Sequence, residues 1–145
     1  IAGDFEVINY LKHNSRSLIF SASMTPASVA AASKALDIMI EEPERREHLW
    51  DITRHAQKSF KERGFDTGRT QSPIIPLFVR DTMKAMAIVR MAYESGVFIT
   101  PVIAPAVPEN DVLIRFALMA THSREQVDEA VEKLTVIFKK VGVIE

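Results

Sequence analysis

The chain has 145 residues, 47% of them hydrophobic and 26% charged, and its 18 Lys and Arg against 19 Asp and Glu leave a formal net charge of −1. That composition describes one folded domain that needs no metal or disulfide to bury a core, and the charge balance carries no footprint for nucleic acid or an anionic membrane. The absence of cysteine excludes disulfide scaffolds, thiolate zinc sites and Cys nucleophiles, and no apolar run approaches the roughly 20 residues that span a bilayer. We therefore expect a soluble, cytoplasmic protein with no membrane span, and, because the chain opens on Ile1 rather than Met, a piece of something longer.

In chain order, Phe5, Val7, Ile8 and Leu11 recur at near-helical spacing behind Asp4, which predicts a short helix over 4–12. Ser17-Leu-Ile-Phe-Ser-Ala-Ser23 is a compact apolar stretch bracketed by hydroxyls. Thr25-Pro26 then supplies an N-cap and a first helical residue for a helix to Glu42, apolar enough that much of its circumference should be buried in the core. After Pro43 a second long helix runs from Glu44 to Arg63, with Leu49, Trp50, Ile52, Ala56 and Phe60 on its inner side and Gly64 at its end.

Residues 65–72 read as a loop, and 74–79 as a strand placed at a sheet edge by Pro73 and Pro76. Asp81 opens an amphipathic helix to Gly96 carrying Met83, Met86, Ile88, Val89, Met91 and Ala92. Val97–Thr100 predicts a strand, and the three prolines within 101–110 argue against regular structure there. Val112–Met119 is the strongest strand signal, and Ser123-Arg-Glu-Gln126 is a capping box for a last helix with Val127, Ala130, Val131, Leu134, Ile137 and Phe138 inward. These elements predict an α/β fold in which a small, mainly antiparallel sheet is covered by helices. No internal repeat, low-complexity tract or linker interrupts them.

Little in the chain has the form of a catalytic motif. His13, His48, His55 and His122 form no HExxH or HxH pattern, so surface or capping roles are expected of them, and no metal site. There is no Walker loop, GxGxxG or GxSxG among only five glycines. Ser21-Ala-Ser-Met-Thr-Pro26 sets Ser21, Ser23 and Thr25 ahead of a long helix, where they serve either as plain capping, the commoner use, or as an anion grip. Arg115 interrupts a strand whose other residues are apolar. A guanidinium there needs an anion, either in an ordinary salt bridge on the solvent face or as a fork for a substrate carboxylate.

Four segments taken together resemble the α-oxoamine synthases, the pyridoxal 5'-phosphate (PLP) enzymes that condense an amino acid with an acyl-CoA and release carbon dioxide and CoA. They are Ile1-Ala-Gly3, Ser17-Leu-Ile-Phe-Ser-Ala-Ser-Met-Thr-Pro-Ala-Ser28, Pro105-Ala-Val-Pro108 and Leu113-Ile-Arg-Phe-Ala-Leu-Met-Ala-Thr-His122. The resemblance covers essentially the whole chain and implies the C-terminal portion of a fold-type I PLP transferase. Residues 1–24 would end the large PLP-binding domain and lead out of it, and 25–145 would form the small domain. It implies that no catalytic residue lies in this chain, the Schiff-base lysine falling upstream of Ile1, and that the chain alone is inactive.

The same resemblance implies that Arg115 holds the amino-acid carboxylate and that Ser21, with Ser23 in the same neighbourhood, reaches the PLP phosphate of the neighbouring subunit in a homodimer with shared active sites. His122, in Ala120-Thr-His-Ser123, would have a structural role at the start of the last helix. Some members carry a second arginine where this chain has Ile103, which leaves Arg115 as the carboxylate cation, while Val102, Ile103, Ala104 and Ala106 would suit a passing acyl chain. Within the family the segments look most like the branch that uses serine and palmitoyl-CoA, with the branches making 2-amino-3-ketobutyrate and 8-amino-7-oxononanoate near it. A non-catalytic partner domain and an aminotransferase small domain are the readings from other classes. Helices that pack on the large domain would expose apolar faces in this chain.

Overall fold

A computed structural model describes residues 1–145, which form two compact units, Ile1–Glu41 and Glu42–Glu145. The first holds three helices: α1 (Phe5–Asn14), α2 (Arg16–Ile19) and α3 (Pro26–Glu41). Thr25 caps α3 as the sequence predicts, its Oγ1 accepting the Ser28 N–H at 3.3 Å ahead of Pro26. No residue of this unit is buried, which corrects the expectation that α3 is a central core helix. Val29, Leu36, Met39 and Ile40 are all more than half exposed, as are Phe5 and Tyr10 on α1. A unit this short has too little surface to enclose a helix that is apolar on most sides. Such exposure fits the expectation of apolar faces directed at a larger domain.

The second unit carries the core. Its elements are α4 (Pro43–Glu62), β1 (Ile74–Phe78), α5 (Thr82–Glu94), β2 (Thr100–Val102), β3 (Leu113–Ala117) and α6 (Arg124–Val141). The three strands form one antiparallel sheet in the order β1-β3-β2, so β3 is central and the proline-bearing β1 and β2 are both edges. An edge strand tolerates proline because one side of its backbone has no ladder to complete.

Helix ends follow local chemistry. The Asp81 carboxylate accepts the Lys84 N–H at 2.8 Å to start α5. Ser123 and Gln126 form the reciprocal capping box, with bonds of 3.2 and 2.9 Å, a device that contributes about 1 kcal/mol to such a helix. Gly142, at φ +69°, closes α6 in the left-handed conformation that suits glycine.

Two sequence expectations shift here. The strand expected at Val97–Thr100 lies instead at Thr100–Val102, and a short 3-10 turn, Glu109–Asp111, follows within the proline-rich stretch. The Val97 N–H is spent on the Ala92 carbonyl at 2.8 Å, closing α5, so Val97 does not open the strand. Trp50, expected on the inner side of α4, is 37% exposed, and Met83 and Met86 on α5 also face outward.

One face of the sheet is closed by α4, α5 and α6 through a single core. Phe60 of α4 is fully buried, its ring meeting Phe65 at 4.9 Å and Phe116 at 5.1 Å in edge-on contacts, while Phe65 meets Phe138 of α6 at 4.7 Å. Ile75, Leu77 and Ile114 supply the sheet side, and Ile88, Val131 and Leu134 the helix side. The expected fold class, a small antiparallel sheet covered by helices, is what forms. The covering lies on one face, and the opposite face positions the site.

The loop after α4 is tied to the end of β1. The Asp66 carboxylate pairs with the Arg80 guanidinium and accepts the Gly68 N–H at 3.0 Å, while Gly68, at φ +59°, passes so close to Phe78 that an added Cβ would lie 3.1 Å from its ring. The Arg80 hydrogen bond, then the Gly68 amide, hold the Asp66 carboxyl below the usual aspartate range. A depressed carboxyl adds stability that is present above its unfolded-state pKa and is lost as pH falls through its folded-state value. Asp66→Asn is therefore expected to flatten the acid side of the unfolding profile below about pH 4, where ordinary aspartate titrates. Urea denaturation at stepped pH checks this; a variant profile parallel to the wild type would show that Asp66 is not linked to folding.

Candidate functional site

Strand alternation on β3 sends Ile114 and Phe116 into the core and leaves Leu113, Arg115 and Ala117 on the other face. The ladder then fixes what surrounds Arg115. Pro76 of β1 lies opposite it on one side and Thr100 of β2 on the other, with Ile74 beside Ala117 and Phe78 and Val102 beside Leu113. The guanidinium therefore stands at the centre of a largely apolar sheet face.

Arg115 is exposed and has neither a carboxylate within 4.0 Å nor a hydrogen-bond acceptor in the chain. The sequence left a salt bridge and a substrate fork both open; within this chain the salt bridge does not form. Arg115 opens on a cleft of about 620 Å³ that Phe98, Thr100, Met119, His122 and Lys133 also line. Lys133 is already engaged, donating to the Ser95 carbonyl at 2.9 Å and pairing with Glu129. Arg115 is thus the unpaired cation of the cleft, with the planar fork that suits a carboxylate.

The histidines serve the architecture behind this strand. His122 Nδ1 accepts the Met119 N–H at 3.2 Å, which places the ring proton on Nε2 and folds the turn leaving β3, and the His122 carbonyl accepts from His48 Nε2 at 2.9 Å. His55 donates through Nε2 to Asp128 and accepts from Arg124 at Nδ1, fastening α4 to the start of α6. His13 donates to the Asn9 carbonyl one turn back. No group of three or more His, Cys, Asp and Glu is arranged to hold a metal ion. Ile103 packs against the core, so the proline-rich loop presents no second cation at that position.

Ser21 and Ser23 belong to the first unit. Ser21 Oγ donates to the Leu18 carbonyl at 2.9 Å, whereas the Ser23 hydroxyl has no partner, and both are exposed. Two accessible, rotatable hydroxyls ahead of α3 are each able to donate to a phosphate oxygen, while the helix start adds little, since Pro26 has no N–H and those of Ser28 and Val29 go to Thr25.

Thr100, which sequence patterning does not mark, also lines the Arg115 cleft. Its place opposite Arg115 depends on strand register, for which one sequence carries no signal once prolines obscure the strand.

Residues 1–134 match the aminotransferase class I and II family, and the chain belongs to that family. It is 54% identical over 143 residues to a serine palmitoyltransferase of Sphingobacterium spiritivorum, covering 99% of this chain and 36% of that protein. It is also 38% identical over 144 residues to an 8-amino-7-oxononanoate synthase of Thermosipho melanesiensis, covering 99% of this chain and 37% of the relative. Among solved structures, the serine palmitoyltransferase of Sphingomonas wittichii superposes with a TM-score of 0.86 at 27% identity, covering 99% of this chain and 37% of that one. Both kinds of relative are α-oxoamine synthases, as the sequence segments implied, and the fold is that of the C-terminal region of a PLP-dependent transferase. The chain spans little more than a third of the length of the relatives it matches. No helix is long and apolar enough to cross a membrane.

Proposed function

We propose that this chain is the C-terminal part of a cytoplasmic, PLP-dependent acyltransferase that condenses serine with palmitoyl-CoA to give 3-ketodihydrosphingosine, carbon dioxide and CoA. The observation that carries the proposal is the unpaired Arg115 guanidinium at the centre of an open, largely apolar sheet face, in a chain 54% identical to a serine palmitoyltransferase. Residues 1–24 end the large domain and 25–145 form the small one.

In this reading PLP, when bound, accepts the electron density left at the amino-acid α-carbon. The residues of this chain bind and orient. The Arg115 fork would take both carboxylate oxygens and so fix the orientation of the amino acid toward the cofactor. Apolar neighbours such as Ile74, Phe78 and Val102 leave that ion pair without a competing acid or hydrogen-bond acceptor on the sheet face. Ser21, its proton turned from the Leu18 carbonyl, and Ser23 would donate to the PLP phosphate of the partner subunit in a homodimer. The Schiff-base lysine lies in the part of the protein that precedes Ile1, so the chain by itself is inactive.

Thiol release by the full-length protein with PLP, across glycine, serine and alanine paired with acetyl-, pimeloyl- and palmitoyl-CoA, tests the reading. Release with serine and palmitoyl-CoA is expected. Release with alanine and pimeloyl-CoA would move the protein to the 8-amino-7-oxononanoate synthases that it also resembles, and glycine with acetyl-CoA to the branch making 2-amino-3-ketobutyrate. Silence across the panel would overturn acyl transfer in favour of a non-catalytic partner or an aminotransferase.

A further inference from the structure

We propose that Thr100 is a second contact for the substrate carboxylate, a hydroxyl that binds the same anion as Arg115 and sets its plane. The inference rests on the carboxylate reading of Arg115 above and extends it to a residue on another strand.

Register is the first support. Thr100 of β2 lies directly opposite Arg115 of β3, and directly opposed side chains in an antiparallel pair share a face with their Cβ atoms about 5 Å apart. The other positions of that face are Ile74, Pro76, Phe78, Val102, Leu113 and Ala117. Thr100 therefore carries the one uncharged hydrogen-bonding side chain on the sheet surface around the guanidinium.

The second support is what the polar groups of the cleft are already doing. Gln126 is committed to the α6 capping box, Lys133 to the Ser95 carbonyl and Glu129, and His122 Nδ1 to the Met119 N–H. Thr100 is exposed, lines the same cleft and makes no side-chain hydrogen bond. The His122 Nε2–H also lacks a partner in the chain, but it stands on the turn after β3, so Arg115 and Thr100 are the unengaged pair that is adjacent across the sheet.

Their chemistry is complementary toward one kind of ligand. A guanidinium has donors only, so it offers Thr100 nothing to donate to, while the threonine oxygen can accept from it. The Thr100 proton needs an acceptor from outside the chain. A carboxylate held by the Arg115 fork still has lone pairs free beyond the two that the fork engages. Donation from Thr100 to one of those oxygens, on the β2 side alone because Pro76 flanks the other, fixes the rotation of the carboxylate about the axis of the fork.

The experiment uses the full-length holoenzyme with Thr100→Val, which keeps the β-branched shape, and Thr100→Ser, which keeps the hydroxyl. Amino-acid Kd is measured by calorimetry without acyl-CoA, KM and kcat are measured with it, and serinamide is the carboxylate-free control. Thr100→Val is expected to weaken serine about tenfold, in Kd and KM more than in kcat, with serinamide unaffected and the melting temperature unchanged. Thr100→Ser is expected to restore most of the affinity, and Thr100→Val to add nothing on an Arg115→Ala background. Wild-type serine affinity in Thr100→Val, while Arg115→Ala loses it, would overturn the role of Thr100 and leave the carboxylate reading standing. Equal losses for serine and serinamide, or for both Thr100 variants, would make Thr100 a structural residue and overturn the proposal. Unchanged affinity in Arg115→Ala would remove the carboxylate reading and this inference with it.

Discussion

Arg115→Ala in the full-length protein is expected to raise the KM for the amino acid by at least about 30-fold, because a charge-assisted fork that is desolvated once the substrate and the rest of the protein cover it is worth on the order of 2 to 5 kcal/mol. Its stability should not change, since the side chain is exposed and has no partner within the chain whose loss would be felt. Arg115→Lys should fall between the two, keeping the charge and losing the planar pair of donors. Steady-state kinetics at varied amino acid and fixed acyl-CoA, with thermal melting as control, make the measurement. An unchanged KM would end the role given to Arg115, whatever the reaction.

Phe60→Ala should act in the opposite way, on stability. Phe60 is fully buried on α4, and its ring is the meeting point of Phe65 from the following loop and Phe116 from the central strand. Truncating a buried phenylalanine costs about 3 to 5 kcal/mol, which in a unit of this size lowers the unfolding midpoint by roughly 12 °C or more. Far-UV circular dichroism of this chain on heating is the check, with Trp50→Ala as the comparison. Trp50 sits on the same helix but is 37% exposed, so its loss should cost far less. Equal midpoints for wild type and Phe60→Ala would mean that the aromatic cluster does not hold the helices to the sheet.

The contrast between Phe60 and Trp50 marks where sequence patterning runs out. Both fall in an apolar stripe with Leu49, Ile52 and Ala56, and periodicity assigns them one side of α4. A helical stripe is wide, and residues on its flank are covered or left bare by neighbours that the stripe does not name. The same limit applies to α3. Its composition calls for burial, yet none of its residues is buried, because burial is a property of the surface that meets a helix as well as of the helix.

Capping, by contrast, was largely legible, although Asp4, expected to cap α1, stands at its N-cap with no side-chain hydrogen bond. Asp81, Thr25 and the Ser123–Gln126 pair each act within three residues of sequence, so the spacing that a reader sees is the spacing that the hydrogen bond uses. Edge placement of β1 was legible for a like reason, since Pro76 lacks a donor wherever it sits. β2 begins three residues later than expected, and Val97 is kept out of it by a backbone amide claimed by the end of α5, a claim that leaves no trace in residue type.

For the site, the sequence by itself determined that a guanidinium stands in an apolar strand, that hydroxyls precede α3, and, through four segments in order, which family the chain belongs to. Those are matters of residue identity and short spacing, which local chemistry reads directly. Only the tertiary structure decided that Arg115 has no acid beside it, that Ile103 turns to the core, and that Thr100 lies across from the guanidinium. Each of these depends on which strands pair and in what register, and register is set by the packing of a whole sheet face against its helices, a long-range energy that no short stretch of residues contains.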